Sequence, residues 1–86
     1  MDRQPGTIRF AGQVLPFWIV ALQWRRHRLL GKWLPRDQLH YVETYIELKS
    51  FAAAAEAEET SHSSIRRAVH HMLWQMRRVD KGADWV

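Results

Sequence analysis

Residues 61–78, SHSSIRRAVHHMLWQMRR, contain neither proline nor glycine and place Ile65, Val69, Met72 and Met76 at steps of four, three and four. On a 3.6-residue period those four side chains fall on one stripe, so the segment reads as a long helix with one side turned to a core. With Ile65 at the centre of the buried side, the opposite side holds Ser63, Arg66, Arg67, His70, Trp74, Arg77 and Arg78. That outer side is basic and hydrogen-bonding, and no Asp or Glu lies on it.

The chain before this helix supplies what must cover the stripe. Residues 1–12 read as a flexible N-terminus, with Ile8 to Phe10 a short extended piece that Gly12 stops. From Gln13 the spacing turns helical. Leu15, Ile19, Leu22, Leu29 and Trp33 line one side of a helix over 13–33, with Pro16 in its first turn and Gly31 near its end. Leu34-Pro35 breaks the pattern. A second helix is expected over 36–49, with Leu39, Val42 and Ile46 on one side, Tyr41, Tyr45 and Leu48 widening the apolar face, and Asp37 in the first turn. Ser50 is a good N-cap for a third, short helix running to about Glu58, built on four alanines. Thr60 and Ser61 offer caps for the last helix, and residues 79–86 read as a frayed tail. The expected fold class is all-α: a small four-helix domain over 13–78, made of a basic, Trp-rich helix (13–33) and a C-terminal helix-turn-helix (34–78).

Charge is unevenly distributed along the 86 residues. Seven Lys/Arg against Asp2 give +6 over 1–36. Lys49 against six carboxylates gives −5 over 37–60, and five basic against two acidic groups give +3 over 61–86, for a net +4. A basic–acidic–basic order suits surfaces with separate jobs and an anionic partner. The absence of cysteine excludes disulfides, thiolate metal sites and a cysteine nucleophile, and favours a cytoplasmic setting. Val14 to Trp24 is the most apolar run, about half the ~20 residues a helix needs to cross a bilayer. An interfacial helix carrying Trp18, Trp24 and Trp33 is the weaker reading of it.

Nothing in the chain points to catalysis, a cofactor or a small-molecule substrate. There is no Gly-rich phosphate loop and no nucleophile elbow. The histidines show no metal-ligand spacing, since His70 and His71 are adjacent and point apart on a helix.

The long–short–long order of the last three helices, joined by the polar turn Glu59-Thr60-Ser61, is the plan of a helix-turn-helix. In such a module the last helix enters the DNA major groove. His62, Ser63, Ser64, Arg66, Arg67 and His70 are the candidates to read or frame bases, and Arg77 and Arg78 to meet phosphates. Over Leu34 to Arg78 the chain resembles the C-terminal helix-turn-helix region of bacterial sigma factors. LPRDQ at 34–38 is similar to that region's opening LP-x-x-Q. SFAAAA at 50–55 stands where the family has its Ser-aromatic-Ala-x-Ile-Ala run, and SHSSIRRAVHHMLWQMRR matches the recognition helix. Glu59 stands where the family's turn usually carries Gly, and Glu58 and Thr60 replace usual aliphatics.

The resemblance implies a stand-alone regulator that binds double-stranded DNA and touches RNA polymerase, and its small size suits a phage or mobile element. The alternative is an adaptor or inhibitor that keeps the fold but docks on a bacterial protein complex. Trp18, Trp24, Arg25, Arg26, Arg28 and Trp74 are the candidate partner-binding residues, and a homodimer stays open.

Overall fold

A computed structural model of the chain describes residues 7–27 and 33–79. Within them the order is β1 (Ile8–Phe10), β2 (Gln13–Leu15), α1 (Phe17–Arg26), α2 (Arg36–Leu48), α3 (Phe51–Ala57) and α4 (His62–Val79). The described residues are therefore mostly helical, with one antiparallel hairpin added at the start.

The hairpin is the main departure from the expected fold. Ile8 pairs with Leu15, Arg9 with Val14 and Phe10 with Gln13. Ala11 and Gly12 join the strands with φ of 51° and 79°, the paired positive values of a type I′ turn, whose twist matches that of the flanking strands. Gly12 meets no atom that a Cβ would hit, so its φ alone calls for glycine. Period-two alternation then turns Ile8, Phe10 and Leu15 inward and Arg9 and Val14 outward. Residues 8–12 are thus ordered in the hairpin; 1–6 lie outside the described residues.

The helix expected over 13–33 starts later. Residues 13–15 are strand, because Leu15 precedes a proline and is pushed toward extended backbone. Pro16 caps α1 in an extended conformation, and its carbonyl accepts from the amides of Ile19 and Val20 at 3.0 and 3.3 Å. The helix stops at His27, while Arg28, Leu29, Gly31 and Lys32 lie outside the described residues. Its inner face is Ile19, Val20, Gln23 and Trp24, and Leu22 of the expected stripe faces outward. The expected stripe took its first residue, Leu15, from a strand, which set its phase wrongly.

From Leu34 onward the elements follow the sequence reading closely. Pro35 caps α2, and Lys49 ends it in the left-handed region at φ 62°. The hydroxyl oxygen of Ser50 accepts from the Ala53 amide at 3.2 Å at the start of α3. At the end of α3 the Glu59 amide donates to the Glu56 carbonyl at 3.2 Å, and the Thr60 amide donates to the Ala55 carbonyl at 2.9 Å. With Glu59 at φ 53°, this is a Schellman closure in which glutamate occupies the position that usually takes glycine. The oxygen of Ser61 accepts from the Ser64 amide at 3.1 Å and starts α4. That helix runs unbroken to Val79, the first residue of the expected tail; 80–86 lie outside the described residues.

One core joins all six elements. Ile65, Val69, Met72 and Met76 are buried as expected, with Ala68 and Leu73 beside them. The centre of the α2 face is Val42 and Tyr45, while Leu39, Tyr41 and Ile46 are half-buried around it. Helices α2, α3 and α4 pack closely against one another, with the small Ala54, Ala55 and Ala68 buried among them. Two polar ties cross these helices. The His71 ring donates from Nδ1 to Gln38 Oε1 at 2.6 Å and accepts at Nε2 from Gln75 Nε2 at 3.2 Å. The Thr44 hydroxyl donates to the Glu58 carboxylate.

Candidate nucleic-acid interface

The outward side of α4 follows from its buried seam. Fixing Ile65, Ala68, Val69, Met72, Leu73 and Met76 against the core leaves His62, Ser63, Arg66, Arg67, Trp74 and Arg78 exposed, with His70 and Arg77 half-buried. Ser63, Arg67, Trp74 and Arg78, at steps of four, seven and four, form the central ridge. No Asp or Glu occurs from 60 to 79. The carboxylate of Glu58 is tied back to Thr44 on α2, while Glu56 and Glu59 are exposed next to the start of α4.

Two expected site residues, Arg66 and Ser64, carry structural duties. The Arg66 guanidinium carbon sits over the Phe51 ring, 5.5 Å from its centroid, within reach of a cation–π contact. Phe51 in turn stacks on Tyr45 at 4.5 Å, and Tyr45 meets Phe17 edge-on at 5.5 Å. This aromatic series links α1, α2 and α3 and ends under the arginine. Burial pushes the Tyr45 phenol up to about 12. Ser64 is half-buried, with its hydroxyl 3.1 Å from the Ser61 hydroxyl, and so belongs to the cap.

His70 and Trp74 share a neighbour that the sequence reading did not assign to them. Phe10 of β1 meets the His70 ring edge-on at 6.2 Å and the Trp74 ring edge-on at 4.8 Å. The hairpin therefore shields one flank of the middle of α4. Burial, and then the charge of nearby Arg66, lower the His70 pKa below its ordinary 6.5, so the ring is neutral at pH 7 and offers one donor and one acceptor. Trp74 keeps 51% of its surface exposed despite Phe10. The local signal for this contact is the Ile-Arg-Phe alternation before a turn; no signal in the chain tells which helix it covers.

The partner-binding candidates divide. Trp24 is 8% exposed and belongs to the core, since it shares the inner face of α1 with Ile19 and Val20. It is removed from the candidate surface. Trp18 (64% exposed) and Leu22 (40%) lie on the outer side of α1, with Arg25 and Arg26 exposed at its end. Arg28 lies outside the described residues. Among the described residues no three His, Cys, Asp or Glu gather as metal ligands, and no helix is long and apolar enough to cross a membrane.

No protein-family model, curated protein or solved structure matches the chain.

Proposed function

We propose that the protein is a small regulator that binds double-stranded DNA, with α2, α3 and α4 acting as a sigma-factor-like helix-turn-helix and α4 as the reading helix. The observation that carries this reading is the exposed, carboxylate-free face of α4 behind a tight turn, with Ser63, Arg67 and Arg78 on its ridge and Arg66 beside them. The major groove is about 12 Å wide and admits one helix. The free first turns, with His62, Ser63 and Arg67, meet base edges. Arg77 and Arg78 neutralise phosphates. Arg66, whose guanidinium lies over Phe51, frames the site beside Arg67. By the same resemblance, the regulator works in the bacterial cytoplasm together with RNA polymerase.

The test is binding of labelled duplex DNA over a range of salt. The logarithm of the affinity falls with that of salt at a slope of about −0.9 per phosphate contact. Arg67→Ala weakens binding by ~1–3 kcal/mol, the worth of a base-contacting arginine, and Arg66→Ala weakens it less. Absence of binding at low salt, or an affinity independent of salt, overturns the proposal.

A second reading, an adaptor that docks on a protein complex, is favoured by one observation. Trp18 and Leu22 stand exposed at an i, i+4 spacing beside Arg25 and Arg26, and an exposed Trp next to Arg is the composition of an interface hot spot. In that case Trp18→Ala abolishes binding to purified RNA polymerase and leaves DNA affinity unchanged. Equal polymerase binding by the variant removes α1 from the docking surface.

A further inference from the structure

We propose that Trp74 is a stacking platform for an unpaired base in the nucleic acid bound by α4. The proposal rests on the nucleic-acid reading above and specifies a feature of the ligand. Trp74 is an indole on a ridge otherwise made of Ser63, Arg67 and Arg78, and half of it is exposed. The indole packs against Phe10, with ring planes 63° apart and centroids 4.8 Å apart. The ring is thus held by the hairpin while half of its surface stays open to solvent, which is how a platform differs from a loose surface residue.

Position separates Trp74 from groove contacts. It lies eleven residues after Ser63, about 16 Å along the helix at 1.5 Å per residue. The hairpin flanks α4 at His70 and Trp74, so this half of the helix does not sink into a groove as its first turns do. A base reaches the indole only by leaving its stack. On the same ridge Arg67 lies about two turns before the indole and Arg78 about one turn after it, and Arg78 holds the flanking phosphate. A protein partner fits this surface less well: the other exposed residues of the ridge, Ser63, Arg67 and Arg78, are polar or cationic rather than apolar, while nucleic acid joins flat π faces to regularly spaced negative charge. Aromatic stacking on an unpaired base serves exactly such surfaces and tolerates any base.

The experiment compares a short perfect duplex with the same duplex carrying one bulged adenine, at low salt, by fluorescence anisotropy. The wild-type chain binds the bulged duplex more tightly, by roughly 5- to 100-fold if one base stacks. Trp74→Ala abolishes that preference, so that the variant binds the bulged and the perfect duplex equally. Trp74→Phe retains most of the preference, because a phenyl ring still stacks, and both variants are checked for wild-type helix content and melting. Arg67→Ala weakens both complexes together. Equal wild-type affinity for the two duplexes, or a preference that survives in Trp74→Ala, overturns the stacking proposal and leaves duplex binding standing. Failure to bind either duplex overturns both.

Discussion

The unit made of α2, α3 and α4 and the unit made of the hairpin and α1 share one core but are fastened to it differently. The three later helices pack closely over the buried Ala54, Ala55 and Ala68, and polar ties from Gln38 to His71 and from Thr44 to Glu58 cross between them. The N-terminal unit reaches the core through large side chains: Ile8, Phe10, Leu15, Val20 and Trp24 are all buried. Small residues set a spacing between helices, whereas large ones act as anchors. Losing an anchor leaves a cavity; enlarging a spacer forces the helices apart.

The largest expected effect tests the anchors. Phe10→Ala lowers stability by about 3–5 kcal/mol, the usual cost of deleting a buried phenyl, read from urea unfolding. A loss under about 1 kcal/mol would mean that the hairpin is not fastened through Phe10. The spacers come next. Ala54→Leu overpacks the junction and costs about 1–3 kcal/mol, and full stability in that variant would deny the close approach of the helices. Glu59→Gly acts in the other direction. It relieves a non-glycine residue at φ 53° and stabilises by about 0.5–1 kcal/mol, less than the strain removed because glycine also frees the unfolded chain. Loss of stability would show that the Glu59 side chain itself is needed.

The smallest effect concerns pH and links the two units. Burial and Arg66 lower the His70 pKa in the folded chain below 6.5. As pH falls below 6.5 the unfolded chain takes up a proton before the folded one, so stability falls until the folded pKa is passed; above 6.5 the group contributes no slope. NMR titration of His70 gives a midpoint under 6.5. Phe10→Ala moves that midpoint up by removing cover, and Arg66→Ala moves it up by less, since burial is the larger cause. A midpoint unmoved by Phe10→Ala would break the link between hairpin and ridge.

The contrast between the units also explains how far the chain could be read without coordinates. In α2–α4 each local signal agrees with its neighbours. Ser50 and Ser61 cap where caps are needed, Pro35 starts α2, and the stripe Ile65–Val69–Met72–Met76 is buried along its whole length. At the N-terminus two periods overlap. Leu15 fits a four-residue step to Ile19 as well as a two-residue alternation, and the proline after it favours the strand. Trp18 and Trp24 look equivalent in the chain, six residues apart, yet one is exposed and the other buried. On a helix they lie about 120° apart, and which side of α1 packs on the core is what separates them.

Sequence alone determined that there are four helices, the bounds of α2 and α3, the Ser50 and Ser61 caps, the inward seam of α4 and, by exclusion, its basic outer side. These depend on contacts between residues a few positions apart, which spacing encodes directly. Tertiary structure decided that Phe10 shields His70 and steadies Trp74, that Phe51 lies beneath Arg66, and that Glu58 turns to Thr44. Those pairs are 14 to 64 residues apart in the chain. No local period carries them, because they arise from how whole elements are placed on a shared core.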